Sequence, residues 1–187
     1  MKKEARDAFS VLNSNPNHKN RDELERRILT NREYAHLYAQ NVIRGRWEPC
    51  EEIISQSRLH SFSYACHIVK GRFPLGEKAI SESADLSFNY AVAIIKGRWE
   101  MGEPAMATHA KYSYLYARYV LGKRWIPGEK AILGHGKYLR FYCRAVLGWK
   151  IPEEISQQII IRAFSNPQDY AANEIFKRIG KSPSQTA

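Results

Sequence analysis

Arg46, Arg72, Arg98 and Arg124 follow one another at intervals of 26 residues, and their neighbours keep the same register. The next position reads Trp47, Phe73, Trp99 and Trp125. Eight residues before each arginine stand Tyr38, Tyr64, Tyr90 and Tyr116, each followed by an alanine. Five residues after each arginine come Glu51, Glu77, Glu103 and Glu129, and three further on Ile54, Ile80, Met106 and Ile132. Columns held in phase over this length mark an array of equivalent short units, which bury a core by stacking on their neighbours.

The pattern weakens toward both ends, as the caps of a stack do. Upstream, Glu25 and Ile28 in "ERRI" fill the glutamate and isoleucine columns of a half-copy. Downstream, Tyr142, Cys143, Val146 and Leu147 keep the first part of a fifth copy, while Lys150 and Ile151 replace the arginine and tryptophan. A last degraded copy, "YAANEIFKRIG", runs from Tyr170 to Gly180 with a two-residue insertion.

Each unit reads as two helices. Leu86, Tyr90, Ala91, Ile94 and Ile95 have the spacing of one buried helical face. Gly97 is expected to end that helix in the left-handed conformation, and Lys96 suits the negative end of its dipole. Gly102 and Glu103 open a second, shorter helix with Pro104 in its first turn. The expected helix lengths are roughly 10–13 and 6–8 residues. The fold class that follows is all-α, a compact α-solenoid of about five helix-turn-helix repeats with degenerate end caps. Its expected organisation is an N-terminal cap with a half-repeat over 1–32, tandem hairpins over 33–160, and a degenerate repeat and tail over 161–187, all in one continuous domain.

At 44% apolar and 26% charged residues, the composition fits a soluble globular protein. Cys50, Cys66 and Cys143 are odd in number and form no C-x-x-C pair, which argues against a disulfide framework or zinc knuckle and for a reducing compartment. The start "MKKEARDAF" lacks the apolar core of a secretory signal, and no run approaches the ~20 apolar residues that cross a bilayer. A cytoplasmic protein without membrane, metal or cofactor is expected.

Catalytic motifs are missing. "GHGK" at Gly134 to Lys137 has the wrong spacing for a phosphate cradle, there is no H-E-x-x-H, and the six histidines do not cluster along the chain. Cys66 and His67 are sequence neighbours, which point in different directions on a helix. The recurring glutamates each have an arginine within reach, which holds them ionised rather than tuning them as acids. The chain is expected not to be an enzyme.

The net charge of +10 favours an acidic partner. It is unevenly spread: residues 1–109 carry 16 basic and 14 acidic side chains, residues 110–187 carry 13 and 5. The ladder Arg46-Trp47, Arg72-Phe73, Arg98-Trp99 and Arg124-Trp125 has two readings. In the first it is scaffold, each arginine pairing with the glutamate five residues on. In the second it is displayed in a row to read one nucleotide per repeat. The scaffold reading is preferred, because a feature present in every unit is more often structural. The sharper candidates lie where the chain departs from its own pattern. The position two after the tyrosine reads Gln40, Cys66 and Val92, then Arg118 and Arg144, with Arg140 four residues before Arg144. Lys111, Arg118, Tyr119, Lys123, Lys137, Arg140, Arg144 and Lys150 are the candidate binding residues, interleaved with aromatics as phosphate contact plus base stacking requires. The alternative is a solvated basic face with the aromatics in the core. A pocket for a small anionic nucleotide would need basic residues that converge.

The pattern seen in "YAVAIIKGRWEMGEPAM" and "YACHIVKGRFPLGEKAI" resembles tandem short repeats in uncharacterised proteins of tailed phages and some bacteria. The likeness covers about residues 25–152. It implies an α-helical repeat fold and a phage origin, hence a host cytoplasm, and it brings no activity or functional residues. The swapped "GKRW" at Gly122 to Trp125 and the lost arginine-tryptophan pair at Lys150 and Ile151 depart from that pattern. The expected function is a non-enzymatic helical-repeat binding protein whose basic C-terminal half engages nucleic acid. The alternative is a phage-type accessory protein that docks on, and inhibits, an acidic host or defence protein.

Overall fold

Every tyrosine-alanine pair of the four full copies lies in a helix, and the glutamate of each copy falls in the first turn of the helix that follows. A computed structural model describes residues 2–180, and among the described residues it contains thirteen α-helices and no strand, so the chain is all-α. The expected tail at 181–187 lies outside the described residues. Residue contacts divide the chain into two compact units, Met1–Gly102 and Glu103–Ala187.

The first unit begins with α1 (Lys2–Ser14) packed on α2 (Arg21–Ile28). Three helices follow, α3 (Arg32–Tyr38), α5 (Arg58–Ser63) and α7 (Ala84–Tyr90), each long once the π-helical segment that continues it is included. They alternate with the shorter α4 (Glu51–Ser55) and α6 (Pro74–Ser81). In the second unit, α8 (Glu103–Ala107) and α10 (Ile126–Leu133) alternate with α9 (Ala110–Leu115) and α11 (Gly136–Ala145), before α12 (Glu153–Ser165) and α13 (Tyr170–Ile179) close the described chain.

Tyr38, Tyr64, Tyr90, Tyr116 and Tyr142 are all buried, as are Ile54, Ile80, Met106 and Ile132 from the shorter helices. Ile28 of the half-copy is buried too. Tyr170 differs: it is 77% exposed at the start of α13, where Ala172 and Ile175 make the buried face and the Asp169 side chain caps the helix by accepting from the Ala172 N–H. The last stretch is therefore helical without using its tyrosine as the earlier copies do.

The long helices do not end as regular α-helix. α3, α5, α7 and α9 run on into π-helical segments, Ala39–Ile43, Tyr64–Val69, Ala91–Ile95 and Tyr116–Leu121. This i→i+5 winding shifts the register after the tyrosine, and Ile94 and Ile95 are half-buried rather than buried as the α-helical spacing predicts. The expected left-handed glycine is also displaced. The residue at positive φ is the one before it: Arg44, Lys70 and Lys96 in the first three copies, with φ of 58°, 54° and 57°. Its N–H and that of the next residue both bond to the alanine carbonyl of the tyrosine-alanine pair, for example Lys96 and Gly97 to Ala91. The "GK" of the fourth copy now has a physical reading, because Gly122 (φ 64°) stands where Arg44, Lys70 and Lys96 stand and Lys123 takes the unstrained place.

A second glycine column has a different cause. A Cβ on Gly76 would lie 2.5 Å from the Phe73 ring and 2.6 Å from Ser61, and one on Gly128 would lie 2.6 Å from the Trp125 ring and 2.7 Å from Ser113. Here the short helix presses against the serine of the long helix before it. That serine is buried and bonds to the carbonyl seven residues back, Ser61 to Ile54 and Ser113 to Met106.

The left-handed position gives a matched pair of predictions. Gly122→Ala places a side chain where one costs about 1 kcal/mol, and urea unfolding should show a loss of that size. Lys96→Gly relieves the same strain and should raise stability by about 0.5 kcal/mol, part of the gain being offset by glycine's flexibility in the unfolded chain.

Candidate functional site

The aromatic half of the repeat ladder faces inward, whereas Arg46, Arg72 and Arg98 are exposed and Arg124 is half-buried. Trp47, Phe73, Trp99 and Trp125 are buried, each packed edge-on or tilted against the tyrosine of its own copy with ring centroids 4.8–5.0 Å apart. Arg46, Arg72 and Arg124 grip Glu51, Glu77 and Glu129 with two hydrogen bonds each, all between 2.6 and 2.9 Å. Arg98 Nη1 lies 3.6 Å from Glu100. The aromatic rings are not displayed; the arginines stand at the surface, with Arg46, Arg72 and Arg124 already engaged by the glutamates of their own copies.

The glutamate of each full copy, buried at Glu51, Glu77 and Glu129 and half-buried at Glu103, takes a hydrogen bond from the tyrosine of the next copy. Tyr64 donates to Glu51 at 3.2 Å, Tyr90 to Glu77 at 2.9 Å, Tyr116 to Glu103 at 3.0 Å and Tyr142 to Glu129 at 2.8 Å. The half-copy does the same, with Tyr38 donating to Glu25 at 2.7 Å while Arg21 holds that carboxylate. The phenol oxygen also accepts a backbone N–H from the preceding copy: Trp47 to Tyr64, Phe73 to Tyr90 and Trp125 to Tyr142, at 2.9–3.0 Å. Burial pushes the Tyr90 phenol above its ordinary value, so it keeps its proton for donation. The hydrogen-bonded Arg72 holds the Glu77 carboxyl below its ordinary value, so it stays an acceptor. This chemistry suits a scaffold, because its phenols, carboxylates and paired guanidiniums already bond to one another, although the buried Trp125 Nε1 has no partner among the described residues.

The candidate residues of the second unit lie on the outside. Lys137, Arg140 and Arg144 are exposed and share one face of α11 by their spacing. The neighbouring α9 carries Lys111, also exposed. Between them the rings of Tyr114, Tyr138 and Phe141 meet, Tyr114 lying 6.2 Å from Tyr138 and 5.8 Å from Phe141. Lys111 lies over the Tyr112 ring at 5.0 Å and Lys137 over Tyr138 at 5.7 Å. Tyr119 is 66% exposed beside Arg118, and Lys123 and Lys150 are exposed on their turns.

Two of these arginines also serve the fold. Arg118 donates to the carbonyl of Ala145 at the end of α11, where helix carbonyls lack partners, and Arg140 pairs with Glu174 of α13 at 3.0 Å. Lys111, Lys137 and Arg144 make no ion pair among the described residues. Two residues that sequence reasoning left out join the same region: Arg178 and Glu174, both on α13, line a groove with Arg140, Arg144 and Trp149. The only sequence signal is the basic Lys177-Arg178 pair within the degraded last copy, and Glu174 has none.

No group of histidines, cysteines and carboxylates among the described residues is arranged to hold a metal ion. Burial pushes the Cys50 and Cys143 thiols up to about 12, far from thiolate chemistry. No helix among the described residues is long and apolar enough to cross a membrane. No family model matches the chain, and neither a curated protein nor a solved structure does.

The histidines, scattered along the sequence, do meet in one place. His36 is buried, its ring 5.9 Å from that of His60, and its Nε2 has no partner. Desolvation, then the nearby His60 and His67, lower its pKa from 6.5. The unfolded chain therefore takes up a proton below pH 6.5 that the folded one resists, so stability falls as pH drops through that value. His36→Phe, the residue found at the equivalent Phe62 and Phe88, should flatten the decline between pH 6.5 and about 5 in denaturant titrations, whereas an unchanged slope contradicts the assignment.

Proposed function

We propose that the chain is a non-enzymatic α-solenoid whose basic outer face, on α9 and α11, binds nucleic acid. The solenoid organisation is supported by the 26-residue register and by the tyrosine that reaches from one copy to the glutamate and backbone of the copy before it. In such an array the inner columns are fixed by packing and the outer columns vary, so the outer columns carry specificity.

The observation that carries the binding reading is the change of character in two exposed columns. Glu33, Leu59 and Asp85 become Lys111 and Lys137, and Gln40, Cys66 and Val92 become Arg118 and Arg144. The cations stand beside exposed or half-buried aromatic rings, the combination used to hold phosphates and stack unpaired bases. Single strands are favoured over duplexes, because a base stacks on an aromatic side chain only when it is unpaired. A phage-encoded protein acting in a host cell is part of this proposal and rests on the resemblance of the repeats.

Fluorescence anisotropy with labelled single- and double-stranded DNA and RNA, over a salt series, tests it. Lys111→Ala, Lys137→Ala and Arg144→Ala together remove charge without breaking an ion pair of the fold. Single-strand binding should weaken with rising salt, and the triple variant should lower the log-log salt slope by about 2, three contacts at roughly 0.7 each. Absence of binding to every probe at low salt contradicts the proposal and points to an acidic protein as the partner of this face.

A further inference from the structure

We infer that Arg140, Arg144 and Arg178 form a binding groove for a phosphomonoester, at the α13 side of the basic face. The inference deepens the nucleic-acid reading by giving the polymer's end its own site, and it rests on that reading only for the polymer.

The groove has a volume of about 410 Å³ and is lined by Arg140, Phe141, Arg144, Trp149, Glu174 and Arg178. Three guanidiniums face one carboxylate, so the lining carries an uncompensated positive charge of two. A phosphate monoester at neutral pH carries a charge of about −1.5 to −2, which matches it. An internal phosphodiester carries one charge and two unesterified oxygens, and a terminal phosphate offers three oxygens to planar guanidinium donors.

Two of the three arginines are held in place before any ligand arrives. Glu174 pairs with Arg140 at 3.0 Å and approaches Arg178 at 3.8 Å, and Arg178 lies over the Trp149 ring at 4.6 Å. Trp149 is itself set by a left-handed turn, with φ of 57° at Gly148 and 64° at Trp149, and its N–H bonds to the Cys143 carbonyl at 2.8 Å. A positive φ at tryptophan is costly, and here it brings the indole against Arg178. Arg144 has no ion pair among the described residues and is available to close on the ligand. A second hollow shares Trp149 and Arg178 and adds Lys150, Ile151, Pro152 and Ser156, which gives the nucleoside behind the phosphate an apolar and hydrogen-bonding surface.

The phosphate source is either the end of an oligonucleotide or a free nucleotide, and the probes separate the two. Anisotropy compares one labelled single strand carrying a 5′-phosphate, a 3′-phosphate or hydroxyl ends, and calorimetry measures a nucleoside 5′-monophosphate and inorganic phosphate. Each is repeated with Arg144→Ala and Arg178→Ala after circular dichroism has shown native helix content. The expected result is roughly tenfold tighter binding of one end-phosphorylated strand, with that advantage lost in both variants, while hydroxyl-ended binding persists in Arg178→Ala and is weakened in Arg144→Ala only by the loss of one strand contact. Equal affinity for all three strands, with no mononucleotide binding, overturns the groove and leaves the nucleic-acid reading standing. Mononucleotide binding that both variants abolish, with no strand bound, supports the groove and removes the polymer reading. An Arg144→Ala variant that binds like the parent under every probe overturns the groove as well.

Discussion

Within each unit, one buried tyrosine hydroxyl per copy bonds to the carboxylate of the copy before it. At Tyr90 it donates to Glu77 and accepts the Phe73 N–H, both from the preceding copy, while the ring packs on Trp99 of its own copy. Two groups that would be costly to bury alone are thereby satisfied together, and the arginine five residues before the glutamate neutralises the remaining charge. The arrangement also fixes geometry, because a carboxylate gripped by two guanidinium nitrogens has little freedom to accept a displaced phenol. Apolar burial of the tyrosine, alanine and isoleucine columns supplies the bulk of the stability, and the polar link sets which residues face which.

Because the link pairs the phenols and carboxylates inside, most outer positions are released from structural duty, Arg118 and Arg140 being exceptions. The chain uses that freedom unevenly. Its first unit keeps mixed or neutral residues where its second carries lysine and arginine. The second unit also ties its last helices with ion pairs outside the pattern: Arg124 with Glu154, Arg162 with Asp169 and Arg140 with Glu174. Those pairs hold α12 and α13, where the tyrosine device has stopped, and they bring Arg178 and Glu174 to the basic face.

Much of the fold was legible in the sequence because each unit repeats the same contacts. The tyrosine, glutamate, arginine and aromatic columns repeat together since each touches another, and the pairing of Arg72 with Glu77 follows from spacing alone. What escaped was geometry that composition does not encode. The left-handed residue is Lys96 and not Gly97, because the π-helical segment ends one residue earlier than a regular helix cap would place it. The serine column at Ser61, Ser87 and Ser113 was in plain view three residues before each tyrosine, yet its role emerges only from the close approach of Gly76, Gly102 and Gly128. On the surface, departures from the repeat marked Arg118 and Arg144 correctly as exposed. The use of Arg118 on the Ala145 carbonyl, the Arg140–Glu174 pair and the meeting of His36 with His60 all depend on tertiary neighbours that no local pattern announces.

The most direct test of this account is a double-mutant cycle between Tyr90→Phe and Glu77→Gln, read by urea unfolding at neutral pH. If the phenol-carboxylate link joins successive copies, the two losses are not additive, and the cycle gives a coupling of about 1–2 kcal/mol. Additivity within roughly 0.5 kcal/mol would mean that the tyrosine acts only as an apolar filler and that the register is set by other contacts.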